Sequence, residues 1–465
     1  MELTLEEIAA FTGGAVFGQA GLEVAGVQID SRRVKAGDLF VALKGERADG
    51  HAYVFKALSE GTAALVEQTW AEANQAQLPP GRGLVAVPDP LTGLQELAGR
   101  YRRKFALPVI GVTGSSGKTT TKDMIAAVLA GTLSVHKTAG NFNNELGLPL
   151  TLLGLEAGHQ AAVVEMGMRG LGEISFLASL AKPDVGVITN IGATHMELLG
   201  SQENIARAKG ELLQALPPEG TAVLNGDDPW CRRLGEGLSC QVIYYSLNDP
   251  KADLTAQDIT SWGEQGIWFL ANYGSQRAEV LLPLPGRHNA CNALAAIGAG
   301  LSLGLDLESC ASGLRNLQLT GMRLAICSGM RQSRIIDDTY NANPASTRAA
   351  LEVLAGQDAG SPKVAVLGSM FELGPEAENG HRMVGSFAAE IPGLACLVTV
   401  GELARLIARG AIEAGMEETQ IFACDDTAQA VRFLEQSLPT GAWVLVKGSR
   451  GMKMERIVEA LKLQA

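Results

Sequence analysis

Near-continuous apolar runs alternate with helical segments along most of the chain. In its middle these runs are LPVIGVTG, QAAVVEMG, PDVGVITNIG and GTAVLNGDD. Nearer the C-terminus they are SRIIDDTY, KVAVLGSM, LACLVTVG and AWVLVKGS, with helical stretches such as NPASTRAALEVLAG between them. Apolar runs of this length that alternate with helices are typical of parallel strands covered on both faces. The pattern therefore predicts two successive α/β domains.

Two other stretches depart from that pattern. The N-terminal part has a short helix in LTLEEIAAFTG, strands in GVQID and DLFVAL, and a Pro/Gly-rich stretch, QLPPGRG, that we interpret as a linker. The stretch from ADLTAQ to LLPLPG alternates apolar and polar residues around Gly-containing turns, which predicts antiparallel hairpins. We therefore predict an α/β protein of three domains: a smaller α/β domain over 1–84, a central domain with a mostly parallel sheet over 85–318, and a Rossmann-like α/β domain over 319–465.

Length and composition exclude several classes of protein. The 465 residues exceed what one hydrophobic core usually organises. A net charge of −12, without a Lys/Arg cluster, argues against nucleic acid as a partner. The seven cysteines form no CxxC pair. The N-terminus lacks the pattern of a signal peptide, and no apolar run reaches the ~18 residues that span a bilayer. We expect a cytoplasmic monomer without membrane insertion.

A glycine-rich turn follows the apolar run at 108–110. It reads GVTGSSGKTTTKD, residues 111 to 123. Gly114 and Gly117 allow consecutive backbone N–H groups to face one concavity, and the following helix adds its positive N-terminal end. Lys118 would reach the β and γ phosphates of a nucleotide, and the Thr119 hydroxyl would bind Mg²⁺. The predicted nucleotide-binding residues of this P-loop are Gly114, Ser115, Ser116, Gly117, Lys118, Thr119 and Thr120.

The alternative without a ligand is an ordinary glycine turn that a threonine caps. The apolar run before the turn predicts a buried strand, which favours phosphate binding over this alternative. The general P-loop pattern G-x-x-x-x-G-K-[ST] requires glycine at position 112. This chain has Val112 there, and Gly111 lies one residue too early. A general P-loop switch protein is therefore disfavoured.

Two more side chains are candidates for a metal site, and a third, Lys209, has no such signal of its own. Glu165 closes the apolar run AAVVE and His195 follows DVGVITNIGAT, so both are predicted near the carboxyl ends of strands, where open α/β sheets bind ligands. Carboxylate oxygens suit Mg²⁺, and an imidazole can join a second ion. Taken singly, a strand-end Glu is usually solvated and a lone His more often caps a loop. Lys209 lies on a predicted helix that Ser201 can cap, and periodicity alone indicates an exposed lysine.

Several motifs together resemble the Mur ligases, the ATP-dependent peptide ligases of cell-wall precursor synthesis. They cover nearly the whole chain: DSRRVKAGDLFVALKGERADGH, GVTGSSGKTTTKD, GNFNNELGLPLTLL, VVEMGMRGLGEI, NIGATHMELLGSQENIARAKGEL, GRHNACNALAA, DDTYNANP and VKGSRGMKMERIV. DDTYNANP and GNFNNELGLPLT are similar to the ligase that adds a dipeptide. The ligase that adds the third residue carries a DYAHTP-like segment and a DNPR-type motif, which we do not find here. One departure is Ser369 in LGSMFELG, where the family more often has Asp.

The resemblance implies an enzyme that joins D-alanyl-D-alanine to UDP-N-acetylmuramoyl-tripeptide in peptidoglycan synthesis. The precursor carboxylate would take the γ-phosphoryl group of ATP, and the dipeptide amine would attack the acyl phosphate, giving the pentapeptide, ADP and phosphate. Two Mg²⁺ ions would neutralise the crowded charge, and the C-terminal domain would close over ATP. The implied metal ligands are Thr119, Glu165, His195 and Lys209, with Lys209 carbamylated. The implied catalytic residues are Lys118, Lys209, His195 and Glu165.

The same resemblance implies the contacts with both substrates. The adenine and ribose of ATP would be bound by Asn289, Asn292, Arg323, Asp338, Tyr340, Asn341 and Asn343. The UDP-linked precursor would be bound by Ser31, Arg32, Lys44, Arg47, Asp49 and His51, with Asn141, Asn143 and Asn144 along its path. Most of these segments also have an ordinary interpretation as polar turns; NANP, for example, suits an Asn/Pro turn before a helix.

Three other functions stay open at this point. A sister ligase of the same family would add a single amino acid. A P-loop ATPase or nucleotide switch would turn over ATP without ligation. A non-catalytic nucleotide-binding scaffold would do neither, and it accounts poorly for the full set of candidate metal ligands.

Overall fold

The computed structural model of the protein describes residues 1–45, 48–192 and 194–463. Its strands form sheets of five, nine and six members and one two-stranded pair. The predicted three-domain α/β fold is therefore confirmed, while the boundaries at residues 84 and 318 stay predictions. By contact density the chain divides into two compact units. The first comprises 1–111, 133–168 and 172–184, and the second comprises 112–132, 169–171 and 185–465.

The N-terminal part forms the five-stranded sheet. This part of the chain contains β1 (Leu3–Thr4), β2 (Ala15–Gly18), β3 (Glu23–Val24), β4 (Gly26–Gln28), β5 (Asp38–Val41), β6 (Ala63–Glu67) and β7 (Gly83–Val87). Strands β1 and β3 form the separate two-stranded pair, and the other five form the sheet. Its helices are α1 (Leu5–Thr12), α2 (Val54–Glu60), α3 (Gln68–Asn74) and α4 (Pro90–Arg102). The sheet has the order β2-β7-β6-β5-β4, with β4 to β7 parallel. QLPPGRG, interpreted as a linker, is instead a loop that leads into β7.

The nine-stranded sheet follows along the chain. Its strands are β8 (Val109–Thr113), β9 (Val135–Lys137), β10 (Ala161–Glu165), β11 (Val185–Ile188), β12 (Thr221–Asn225), β13 (Gln241–Ser246), β14 (Leu254–Ser261), β15 (Ile267–Tyr273) and β16 (Gln276–Leu282). Its helices are α5 (Lys118–Ala130), α6 (Gly147–Leu153), α7 (Glu173–Ala181), α8 (Met196–Leu199), α9 (Gln202–Gln214), α10 (Pro229–Gly235), α11 (Arg287–Ser302) and α12 (Leu307–Gly313).

This sheet combines a parallel core with an antiparallel edge. The strand order is β16-β15-β14-β13-β12-β11-β8-β10-β9. Strands β11 to β14 are parallel, whereas β14, β15 and β16 pair antiparallel, as the alternating pattern predicts. All residues of β8, β10, β11 and β12 are buried, because helices cover both faces of parallel strands.

The C-terminal part forms the six-stranded sheet. Its strands are β17 (Ala325–Ser328), β18 (Arg334–Asp338), β19 (Lys363–Gly368), β20 (Leu394–Val400), β21 (Ile421–Cys424) and β22 (Trp443–Lys447). Its helices are α13 (Pro344–Ala355), α14 (Ala377–Ala389), α15 (Arg405–Glu413), α16 (Thr427–Ser437) and α17 (Glu455–Leu461). The order is β17-β18-β22-β19-β20-β21, parallel except for β17. Within the described ranges, no helix is long and apolar enough to cross a membrane.

Candidate active site

The glycine-rich turn connects the buried strand β8 to helix α5, as the sequence predicts. Gly114 has a φ of 150°, and a Cβ there would lie 1.9 Å from the hydroxyl oxygen of Thr189. Gly117 has a φ of 80°, and a Cβ there would lie 2.6 Å from Oδ1 of Asn292. Both positions therefore require glycine for backbone conformation and for space. Lys118 is the first residue of α5, where the helix dipole favours an anion.

Two amides of the turn are hydrogen-bonded inside the protein. The Ser115 N–H donates to the backbone carbonyl of Asn190 at 2.9 Å, and the Ser116 N–H donates to Asn190 Oδ1 at 3.0 Å. The expectation that consecutive amides of the turn face the phosphate therefore does not hold at Ser115 and Ser116 in this conformation. Asn190 is not among the site residues predicted from the sequence. The one feature that could have indicated it is its position, as a polar residue just after the carboxyl end of β11.

Two lysine side chains converge on one carbonyl oxygen of the turn. Nζ of Lys118 donates to the carbonyl of Gly114 at 2.7 Å, and Nζ of Lys209 donates to the same oxygen at 3.1 Å. Lys209 is 1% exposed, so its interpretation as an exposed helix lysine is wrong. Burial, followed by the positive charge of Lys118, holds the pKa of Lys209 well below its usual range. Ser201 caps helix α9, which carries Lys209, as predicted.

His195 precedes helix α8 and has a φ of 63°. Burial lowers its pKa to about 4, and the positive charges of Lys209, Lys118 and Arg169 act in the same direction. The ring is therefore neutral at pH 7, which is the form that binds a metal. Its Nδ1 lies 3.0 Å from Oε2 of Glu372 without hydrogen-bond geometry. Neither Arg169 nor Glu372 belongs to the sequence-based site.

Asn289 and Asn292 lie together on α11, directly behind the turn. Nδ2 of Asn292 donates to Oδ1 of Asn289 at 3.0 Å, and Nδ2 of Asn289 donates to the carbonyl of Pro285 at 2.7 Å. The hydroxyl of Thr121 on α5 donates to Oδ1 of Asn292 at 3.4 Å. Both amides are buried, and this network supports the position of Gly117. Their contact with the adenine stays a prediction.

An ion pair fixes the DDTYNANP segment, which begins with the last two residues of β18. Nζ of Lys447 lies 2.5 Å from Oδ2 of Asp338, and the two side chains are 3% and 14% exposed. The same Nζ donates to the carbonyl of Asn341 at 2.9 Å. Asp338 and Lys447 are directly opposite each other in the parallel pair β18–β22. The sequence analysis gives Lys447 no role, but the structure shows that it positions two of the residues predicted to bind the adenine and ribose.

The rest of this segment has structural contacts of its own. The guanidinium of Arg323 lies over the ring of Tyr340, with 4.2 Å between its carbon and the ring centre. Oδ1 of Asn343 accepts from the Ser346 N–H at 2.8 Å and caps α13, which confirms the Asn/Pro turn before a helix. The predicted nucleotide contacts of Arg323, Tyr340, Asn341 and Asn343 stay predictions.

In the first compact unit, Glu165 ends β10 as predicted and is 2% exposed. The interpretation of this residue as a solvated strand end is therefore wrong. Nδ2 of Asn143 donates to Oε1 of Glu165 at 2.8 Å. Oδ1 of Asn144 accepts from the N–H of Gly147, which begins α6, and Asn141 lies in the same loop. The structure thus brings the predicted carboxylate ligand together with the amide-rich loop.

Three predicted precursor-binding residues gather beside the carboxyl ends of β5 and β6. Nζ of Lys44 lies 2.6 Å from Oε1 of Glu67. Nδ1 of His51 lies 2.7 Å from Oδ1 of Asp49, and Nε2 of His51 accepts from the Glu67 N–H at 3.0 Å. The proton of a neutral His51 therefore sits on Nδ1, facing Asp49.

The other predicted precursor contacts lie in or near a turn after β4. Ser31 and Arg32 are in this turn, and the Arg32 guanidinium pairs with Asp30 at 2.7 Å with 80% of its side chain exposed. Arg47 lies outside the described residues. Because β4, β5 and β6 are parallel, their carboxyl ends meet at one edge of the sheet, where α/β folds bind ligands.

The candidate metal ligands near the turn suit a metal ion that binds together with a nucleotide. Among the described residues, no three His, Cys, Asp or Glu side chains group as a metal-binding cluster. Mg²⁺ is usually bound through one or two protein ligands together with substrate phosphates. A buried hydroxyl at Thr119 and a neutral imidazole at His195 are compatible with that mode of binding. The described residues do not form a magnesium site made of protein ligands alone.

The fold and the turn define a phosphate-binding protein of the P-loop type, built from three α/β domains. The family models for the Mur ligase catalytic domain, the Mur ligase middle domain and the Mur ligase glutamate ligase domain match residues 23–102, 112–300 and 322–450. The chain belongs to the Mur ligase family, as the motifs predict.

Similar proteins of known identity extend over nearly the whole chain. The UDP-N-acetylmuramoyl-tripeptide–D-alanyl-D-alanine ligase of Bacillus subtilis (strain 168) is 40% identical over 436 residues, which cover 94% of this chain and 93% of the relative. A crystal structure of MurF from Acinetobacter baumannii has a TM-score of 0.87 at 33% identity, with 99% and 98% of the two chains covered. A crystal structure of MurF ligase from Thermotoga maritima in complex with ADP has a TM-score of 0.79 at 28% identity, with 94% and 97% covered.

Proposed function

We propose that this enzyme joins D-alanyl-D-alanine to UDP-N-acetylmuramoyl-tripeptide and converts ATP to ADP and phosphate. The observation that carries the proposal is the similarity at 40% identity, over 94% of the chain, to a ligase named for this reaction. The ADP complex of a relative with the same fold supports ATP as the nucleotide. Seven unpaired cysteines in the described ranges support a reducing, cytoplasmic setting, where we expect the enzyme to act as a monomer.

Activation of the precursor is the step assigned to the glycine-rich turn. A carboxylate is a poor electrophile, so it first attacks the γ-phosphorus of ATP and becomes an acyl phosphate, with ADP as the leaving group. Both reactants are anionic. Lys118, at the positive end of α5, would neutralise the γ-phosphate and hold it in line with the attacking oxygen. When bound, two Mg²⁺ ions would supply further charge neutralisation, and their protein ligands would be Thr119, Glu165, His195 and carbamylated Lys209.

Formation of the amide is the second step. The amine of D-alanyl-D-alanine attacks the acyl carbon, loses a proton, and phosphate leaves. Water would compete for the acyl phosphate, so exclusion of solvent raises the yield of the amide. The predicted precursor contacts at Lys44, Asp49 and His51 would hold the uridine diphosphate end while the other end reacts.

Lys209 is proposed to be carbamylated. Carbamate formation requires a neutral amine that attacks CO₂ and then loses a proton. Burial, followed by the positive charge of Lys118, lowers the pKa of Lys209, which favours the neutral amine over the ammonium form. The product would replace a cation with an oxygen ligand beside Lys118. Intact-mass analysis under native conditions tests this: an increase of one CO₂ that disappears in K209M supports the proposal, and its absence from the native enzyme contradicts it.

The decisive experiment is phosphate release with each substrate alone and with all pairs. With ATP, Mg²⁺, the tripeptide precursor and D-alanyl-D-alanine together, pentapeptide and phosphate should form in equal amounts. A sister ligase would respond to a single amino acid in place of the dipeptide. A P-loop ATPase would release phosphate without any precursor. Either of these results, or the lack of pentapeptide in the complete mixture, contradicts the proposal.

A further inference from the structure

The segment 189–192, which follows β11, runs along the glycine-rich turn and is hydrogen-bonded to it. The Thr189 N–H donates to the carbonyl of Thr113 at 3.0 Å, and the Gly192 N–H donates to the hydroxyl oxygen of Ser115 at 2.8 Å. Between these two contacts, the carbonyl of Asn190 accepts from the Ser115 N–H at 2.9 Å. The conformation of the turn is therefore set by a neighbouring strand end as well as by its own glycines.

The side chain of Asn190 pairs with both backbone groups of Ser116. Its Oδ1 accepts from the Ser116 N–H at 3.0 Å, and its Nδ2 donates to the Ser116 carbonyl at 3.1 Å. A neutral carboxamide is the side chain that presents an acceptor and a donor together at this spacing. The N–H and the carbonyl of Ser116 belong to the two successive peptide groups on either side of its Cα, so the carboxamide restrains both of them. Together with the Thr189 hydroxyl, which donates to the Ser116 carbonyl at 2.5 Å, the carboxamide fixes the orientation of the peptide immediately before Gly117 and Lys118.

Asn190 is itself held from the opposite side. Nδ2 of Asn225, at the end of β12, donates to the carbonyl of Thr189 at 3.0 Å. Oδ2 of Asp228 accepts from the Ile191 N–H at 2.7 Å. These bonds flank Asn190 in the chain, so the carboxamide is presented to Ser116 by a segment that has little freedom to move. Such support by surrounding hydrogen bonds is what a precise binding geometry requires.

We propose that Asn190 is a positioning residue of the nucleotide site, which acts through Ser116 and sets the path by which the chain enters α5. It would have no contact with the nucleotide of its own. Its effect would be on the affinity for a polyphosphate, because the direction of the Lys118 side chain and of the first amides of α5 depends on the peptide before Gly117. This inference rests on the proposed function in one respect: it takes the ligand of the glycine-rich turn to be the polyphosphate of ATP.

The test compares nucleotide binding by the whole enzyme and by variants, measured by calorimetry with ATP and Mg²⁺ in the absence of precursor. N190A removes both side-chain hydrogen bonds without adding charge, and N190D keeps an acceptor but places an oxygen opposite the Ser116 carbonyl. We expect both to lower the affinity for ATP about tenfold or more, since a polar group in a half-buried site loses its partner. Affinity for the UDP-linked precursor should stay within twofold of the wild-type value.

N74A is the matched control. Asn74 is also half-buried, and its Nδ2 donates to the backbone carbonyl of Trp70 at 2.8 Å in the N-terminal part of the chain. The control should bind ATP within twofold of wild type even if it lowers the melting temperature as much as N190A does. If N190A does not fold, N190S replaces it, because a serine side chain cannot reach both backbone groups of Ser116. The same limits on ATP affinity and precursor affinity then apply to N190S.

Three results would overturn the assignment: a loss of ATP affinity below threefold in N190A, an equal loss in N74A, or an equal loss of precursor affinity in N190A. A large effect in N190D with none in N190A would show repulsion by the new charge instead of positioning. Because the measurements need only the binding of nucleotide and precursor, and no ligation, failure of the wild-type enzyme to form pentapeptide would contradict the proposed function and leave this test intact.

Discussion

Removal of one partner of the buried ion pair between Asp338 and Lys447 should destabilise the C-terminal sheet more than removal of both. The Nζ–Oδ2 distance is 2.5 Å, and the Lys447 side chain is 3% exposed. In K447M, the Asp338 carboxylate stays in a mostly buried position without its counter-ion. Loss of one partner of a buried pair typically costs about 3–5 kcal/mol. With roughly 2–4 °C per kcal/mol for a unit of this size, the unfolding midpoint should fall by about 10 °C.

The double variant D338N/K447M separates the charge from the packing. A neutral amide at position 338 removes the uncompensated charge, so the double variant should recover roughly 2 kcal/mol of the loss seen in K447M. Recovery is incomplete because the carbonyl of Asn341 still lacks the donor it has at 2.9 Å in the native protein.

Thermal unfolding followed by circular dichroism gives the midpoint, and hydrogen exchange of peptides from β18 and β22 locates the change. The reasoning fails if K447M costs less than about 1 kcal/mol, or if D338N/K447M is as unstable as K447M, because charge burial would then not dominate. Stability is the proper readout here, since Asp338 is also a predicted contact of the adenine and ribose, and its loss would affect activity for a second reason.

Other expected outcomes concern the glycine-rich turn and the cysteines. K118A should lower kcat for ligation by about 10²-fold or more, with an unchanged circular dichroism spectrum, since it removes a charge at the phosphate and no core volume. G114A should abolish ATP binding, because its Cβ would lie 1.9 Å from the hydroxyl oxygen of Thr189. G131A is the control: its Cβ would have no atom within 4 Å, so this variant should bind ATP normally. Calorimetry with ATP distinguishes the two variants. Burial raises the pKa of the Cys310 thiol to about 12, so iodoacetamide at pH 8 should modify this residue only in denaturant, as peptide mass spectrometry would show.

The strands of the parallel sheets could be predicted because their signal is local. A run such as KVAVLG is apolar after its first residue, Lys363, and β19 is buried along its whole length. Ser201 and Asn343 cap the helices that follow them, since capping depends on the next three residues of the chain. The linker interpretation of QLPPGRG is wrong for a related reason: proline and glycine mark a turn, and the same turn serves a domain boundary or a loop within a sheet.

The supporting contacts of the candidate site could not be predicted, because they join residues far apart in sequence. Lys447 meets Asp338 across 109 positions and Asn190 meets Ser116 across 74. Each pairing depends on which strands are neighbours and in what register, and no local pattern carries that information. The burial of Lys209 has the same origin: the local pattern of its helix indicates an exposed side chain, whereas its Nζ contacts the carbonyl of Gly114, 95 positions earlier in the chain.

The order of strands in the six-stranded sheet has a consequence for synthesis on the ribosome. Strand β22 is the last to emerge, yet it lies in the middle of the sheet, between β18 and β19. Until it is made, two neighbours each present an unpaired edge, which is the kind of surface that associates with other nascent chains. A premature stop codon even a few residues before Trp443 would therefore remove the centre of this domain rather than trim its end, and the truncated product would be a substrate for chaperones and proteases.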